Sequence, residues 1–283
     1  MKTKSIFLSL VAILAFFMCS CSNDITTEQE KVENLEEIQM QELIQYTHDL
    51  RPKVVEPIEA QTRGFWQRLK NWFKKIGKAD AGGYRWARDN GLGFKEGLLV
   101  SATTSIVAAV GGDNARVQWK INNEWKVYSS SIRDYEELGN KHNQIIYELY
   151  KENPSLRPNS NISNSSILSM VQKKVKALGY GSELSNMQRT TITLMLDDLK
   201  SAFKSSDDVT HVFTKRFPSS NSEYVFIDEY LETILALNSK QEMISTTKQV
   251  YSKINSLPNV KRSLLKDMVS IALCSVNLWQ PIE

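Results

Sequence analysis

The chain has 283 residues, 41% hydrophobic and 24% charged, enough for one large domain or two small ones. Its formal charge of +3 lacks the basic excess that marks a nucleic-acid partner, so none is expected. Twelve Gly and seven Pro argue against a strand-rich, turn-rich fold.

The opening, "MKTKSIFLSLVAILAFFMCSC", places Lys2 and Lys4 before an apolar run from Ile6 to Phe17, then small residues and cysteine. That is the layout of a secretory signal, and the run is shorter than the ~20 residues a stop-transfer helix needs. The stretch resembles a bacterial lipoprotein signal, whose cleavage leaves a lipid-modified N-terminal cysteine. Cys21 has the small Ser20 before it, whereas Cys19 follows the bulky Met18. Residues 1–20 are therefore read as signal peptide and Cys21 as the lipidation site. The competing reading, a soluble secreted chain with a disulfide, has only Cys274 left as partner. Cys274 lies in the apolar "MVSIALCSVNLW", as a buried free cysteine does.

Residues 21–60 begin polar and acidic. A helix is expected from about Glu28 to Leu50, with Val32, Leu35, Leu43 and Tyr46 on one face, before Pro52 and Pro57 break it. This segment reads as a tether leading into a docked helix. Residues 61–112 combine two patterns. In "GFWQRLKNWFKKIGK", Phe65, Trp66, Leu69, Trp72, Phe73 and Ile76 fall within an arc of roughly 120°, and every charge is positive. An interfacial helix looks like this, and so does a basic surface helix with an aromatic core face. These six residues are the candidate membrane or partner face. Beyond Gly77 the composition changes. Gly93, Gly97, Ser101, Ser105 and Ala109 then recur every four positions, which on a helix leaves a smooth groove for a second backbone. The uncharged run from Gly97 to Gly112 falls short of a bilayer span, so a core helix is expected.

Residues 113–283 read as a helical domain packed with 61–112 as one unit. In "RVQWKINNEWKV" a short β-hairpin near 117–128 competes with an irregular link between helices. Next, Tyr135, Leu138, His142, Ile145 and Leu149 form one stripe, which Pro154 ends. Capping boxes at Ser185/Gln188, Ser220/Glu223 and Ser239/Glu242 announce three further helices. The last helix, expected to begin near Pro258, carries Leu264, Leu265, Met268, Ile271, Ser275, Leu278 and Trp279 at spacings of three and four. The fold expected is all-α, an irregular multi-helix bundle or array.

Several fragments in order resemble a group of Bacteroidota lipoproteins. The shared features are the signal ending at Cys21, the pair Asp80-Ala81 opening an Ala/Gly-rich segment, "GNKHN" from Gly139 to Asn143, and "ALCSVNLW" near the end. Here "AGGYRWARDNGLG" interrupts the Ala/Gly run with Arg, Trp and Tyr. The resemblance implies an anchored location and a helical C-terminal region; it carries no chemistry with it.

Catalytic signatures are missing from the sequence: no nucleophile elbow, no His-Glu-x-x-His and no phosphate-binding loop occurs. The three histidines, His48, His142 and His211, are not at metal-ligand spacing, so neither metal nor cofactor is expected. Acid pairs such as Asp197-Asp198 are adjacent on helices and diverge by about 100°. His142 and Asn143 make a candidate polar site, against the plainer reading of a core histidine bonded to a neighbouring helix. The reading with most support is a non-enzymatic protein of the bacterial envelope. It is expected to be held to the membrane, the outer one, through lipidated Cys21, and to act by binding a protein partner or by scaffolding. The alternative is a bacteriocin-like membrane-active protein working through residues 64–112.

Overall fold

The computed structural model describes residues 31–32, 34–52, 60–111, 119–129, 133–156, 160–181, 183–205, 208–215, 217–218 and 221–281, with side chains left out at 60–68 and 281. Among the described residues the fold is all-α apart from one short antiparallel pair of strands. Helix α1 occupies 34–49, and α2 (Ala60–Asp89) and α3 (Phe94–Gly111) follow. After strand β1 (Trp119–Ile121) come α4 (Asp134–Glu152), α5 (Asn164–Ala177), α6 (Asn186–Ser205) and the short α7 (Thr210–Thr214). Then α8 (Asn221–Ile234), α9 (Lys240–Ser256) and α10 (Arg262–Leu278) lead into strand β2 (Trp279–Pro281).

Two helices form the middle of the array. Helix α3 is buried from Gly97 to Gly111 and packs on α2, α4, α5 and α6. Its length and composition pass for a membrane span, yet 78% of that window is buried by the rest of the fold. Helix α10 packs on α2, α4, α8 and α9. One hydrophobic cluster runs from Met40 on α1 to Trp279, so α2 and α3 share a core with the later helices.

The small-residue groove on α3 receives α2. Ser101 Oγ donates to the Asp80 carbonyl at 2.8 Å, and Gly97 lies against the Tyr84 ring. On the opposite strip, a Cβ on Gly83 would meet the Thr104 side chain at 2.6 Å, closer than atoms can sit. Glycine therefore sets how near the two helices come. The change of composition after Gly77 does not end α2, which continues to Asp89. The glycines that weaken helical propensity there are the points where Leu231 and Phe213 pack on Gly77 and Gly82. The chain turns at Gly91, whose φ of 72° suits glycine, before α3.

Of the hairpin expected near 117–128, a strand at 119–121 is present. Its partner is the chain end, with Trp119 opposite Pro281 and Ile121 opposite Trp279, rather than residues 125–127. Trp125 and Val127 are drawn elsewhere: the Trp125 carbonyl and the Val127 amide are hydrogen-bonded by Asn143 and Asn140 on α4. The capping box at Ser185/Gln188 forms reciprocally. At Ser239 the hydroxyl accepts from the Glu242 amide, and Glu242 reaches the Asn238 amide. Ser220 lies outside the described residues. The last helix starts at Arg262, four residues after Pro258.

Candidate functional site

From Leu69 onward the amphipathic face of α2 is closed. Leu69, Trp72 and Ile76 are buried, and Phe73 is half-buried against the same core. Trp72 lies 6.5 Å from Trp119 and 6.3 Å from Trp279, measured between ring centroids. Those two rings meet edge to face at 4.6 Å, and Tyr150 packs on both. The β1–β2 pair thus holds two tryptophans over the aromatic stripe. Edge-to-face packing satisfies the ring quadrupoles as well as burying area. The basic face is matched too. Lys70 reaches Glu232, Lys74 reaches Asp228 and Glu232, and Lys78 reaches Asp208 and Asp228, all within 3.1 Å. The side chains of Phe65 and Trp66 lie outside the described residues, as does Cys21.

A polar centre lies where α2, α3, α4 and α10 meet. Asp80, His142 and Asn143 are each 0% exposed. Gly139, one turn before Asn143, lets α4 and α10 approach: a Cβ there would sit 2.5 Å from Ser270 Oγ and 2.7 Å from the Ser270 carbonyl. At this close crossing Asn143 Nδ2 donates to the Cys274 carbonyl at 2.8 Å and to the Trp125 carbonyl at 3.0 Å. Those bonds fix the amide orientation, so Asn143 Oδ1 is the acceptor facing His142 Nδ1 at 3.2 Å. His142 is therefore protonated at Nδ1, which leaves Nε2 as an acceptor in the neutral ring. Nε2 faces Asp80 Oδ2 at 3.5 Å. Oδ2 also accepts from Ser105 Oγ at 2.8 Å, and Ser105 Oγ accepts from Trp279 Nε1 at 3.3 Å.

Two acceptors facing each other need a proton between them. Burial drives the Asp80 carboxyl well above the ordinary range, against the pull of the Ser275 and Ser105 hydroxyls. Burial likewise pulls His142 down to about 4, against Asn143 and the Ser101 carbonyl. Both directions put the proton on Asp80, so the pair is neutral and holds one proton, as a buried site of low dielectric favours. With no exposed surface on any of the three residues, a substrate has nothing to approach. The arrangement ties four helices together rather than presenting reactive groups.

His142 and Asn143 thus belong to one centre, joined by Asp80, Ser105 and Trp279. In the sequence Asp80 stands out only as a mark of the resemblance, Trp279 as that and as the end of a helical stripe, and Ser105 only as a small residue. The signal that they meet was the coincidence of a buried acid and a buried histidine on apolar helices. Cys274 is free and buried, and burial pushes its thiol pKa up, as for an inert core cysteine. Asp208 accepts from the Thr210 amide at the start of α7 and is held by Lys78. Among the described residues no group of three His, Cys, Asp or Glu side chains is placed to hold a metal ion. No protein-family model, curated protein or solved structure matches this chain.

Proposed function

We propose that the chain is a lipid-anchored, non-enzymatic helical protein of the bacterial cell envelope, attached through Cys21 to the outer membrane and working by binding or scaffolding. The observation that carries this reading is the signal layout ending at Ser20-Cys21. The resemblance to Bacteroidota lipoproteins supports it. So does the character of the helical body, in which the cluster of Asp80, His142 and Asn143 is fully buried. If metabolically labelled fatty acid enters the wild type but not Cys21→Ala, and only the wild type sediments with membranes, the reading stands. Equal labelling of the two removes it.

The bacteriocin-like alternative has less support. Inserting the apolar face of α2 in a bilayer would expose the core that Leu69, Trp72 and Ile76 help to fill. It would also strip Lys70, Lys74 and Lys78 of their carboxylate partners on α8 and beside α7. Release of dye from anionic vesicles by the intact chain would revive it.

A further inference from the structure

A second polar place in the molecule is open to solvent. The C-terminal part of α2 and the start of α10 enclose a cleft of about 440 Å³, lined by Arg85, Arg88, Lys261, Arg262, Ser263 and Asp267 among others. Four cations therefore line a concavity that holds one carboxylate.

Their pairing differs in a way that matters. Arg85 is buried and fixed by Asp89 at 2.5 Å and Glu223 at 2.9 Å, so its charge is largely answered. Lys261 stands 3.4 Å from Glu36 and 3.5 Å from Glu223, at the loose end of ion pairing. Arg88 and Arg262 are held by backbone instead: Arg88 Nη1 donates to the Leu92 carbonyl at 2.9 Å and Arg262 Nε to the Leu257 carbonyl at 2.8 Å. Among the described residues, no carboxylate lies within ion-pair distance of either guanidinium. Each has five N–H donors, and a carbonyl fixes its position without neutralising it. Two preoriented guanidiniums without an ion-pair partner, of which Arg88 feels the charge of Asp267 in the same lining, suit a planar or tetrahedral oxyanion, which they can grip through paired donors.

The surroundings agree. Lys266, one turn into α10 from Arg262, is depressed by burial and by the crowding of Arg133 and Arg262, as in a region of positive potential. The Lys261 side chain makes no cap to the backbone of α10, a helix of 17 residues, so the positive end of its dipole adds to the same field. Asp267 opposes it. Its Oδ2 accepts from the Tyr84 hydroxyl at 2.8 Å, and the carboxyl is the one acidic group in the lining.

The geometry points to an anion-binding site between α2 and α10, with Arg88 and Arg262 as the gripping residues and a phosphate group as the ligand chemistry. A soluble phosphate ester and a lipid headgroup both present that group. The site is independent of whether Cys21 carries lipid.

Calorimetric titration of the intact chain with inorganic phosphate, at constant ionic strength set with chloride, tests it. Saturable binding near one equivalent is expected, weakened roughly tenfold or more in Arg88→Gln and in Arg262→Gln. Asp267→Asn keeps an acceptor for the Tyr84 hydroxyl and removes the opposing charge, so it is expected to bind several-fold more tightly. A gain of that kind cannot come from misfolding. Absence of saturable binding in both the wild type and Asp267→Asn overturns the proposal, and so does binding by both arginine variants at wild-type strength. Vesicles of phosphatidic acid in phosphatidylcholine, against phosphatidylcholine alone, separate the two sources. Phosphate-competed sedimentation with the acidic vesicles assigns the site to a headgroup, and phosphate binding without sedimentation assigns it to a soluble ester.

Discussion

Replacing Asp80 by Asn changes one atom type and removes the need for a proton. His142 Nε2 and Ser105 Oγ both face Oδ2, so an amide nitrogen in that place donates to His142 Nε2, with the Ser105 hydroxyl turned to accept rather than donate. In the folded wild type the raised carboxyl keeps its proton, whereas in the unfolded chain it loses it near pH 4. Above that pH, folding of the wild type takes up one proton that Asp80→Asn does not need. A group raised in the folded state contributes stability that is lost as pH rises, at about 1.4 kcal/mol per pH unit. His142 acts with the opposite sign. It is lowered to about 4 when folded, so stability falls as pH drops through the ordinary histidine range. In the wild type the two effects offset between about pH 4 and 6.5, giving a plateau, and stability declines above it. In Asp80→Asn only the histidine effect remains, so stability rises to about pH 6.5 and then levels. The difference, variant minus wild type, should therefore climb with pH above about 4.5, at about 1.4 kcal/mol per pH unit for as long as folded Asp80 keeps its proton. Urea unfolding followed by circular dichroism at several pH values measures it, and the subtraction cancels every other titration. A difference that stays constant with pH would mean an ionised Asp80 and would refute the shared-proton account.

Other outcomes follow from the same packing. Gly139→Ala places a methyl against the Ser270 carbonyl and Cys274 Sγ, so α4 and α10 must separate, at a cost of about 3 kcal/mol in denaturant unfolding. Trp72→Ala removes the ring that packs against both Trp119 and Trp279 and should cost about 3–5 kcal/mol, with loss of near-ultraviolet circular dichroism. Lys74→Glu sets a third carboxylate beside Asp228 and Glu232. Its penalty of about 2 kcal/mol should shrink at high salt, because the repulsion that replaces the ion pairs is screened.

Much of the architecture was legible because it is local. The stripe Leu69, Trp72, Ile76 and the stripe Leu138, His142, Ile145, Leu149 are buried as their spacing implies. The four-residue repeat of small side chains on α3 does admit a second helix, and periodicity could say that a groove existed without saying which helix fills it. The end of α2 was not legible. Gly77, Gly82 and Gly83 look like helix breakers until Leu231, Phe213 and Thr104 are seen to require the absent side chains. The partner of β1 was hidden for a similar reason: Trp279 reads as the tail of a helical stripe, and its pairing with Ile121 depends on the whole chain closing. The polar centre was half legible. His142 and Asn143 stood out, but Asp80 is 62 residues away on another helix, and only packing brings the acid to the ring.

The account rests most on α2 being part of the body's core and not a membrane element. Amide hydrogen exchange across residues 69–89 of the intact chain, with and without anionic vesicles, tests that directly. Slow exchange at the rate of global unfolding, unchanged by vesicles, is the expected result. Rapid exchange in solution, or a change in protection confined to α2 when vesicles are added, would contradict it.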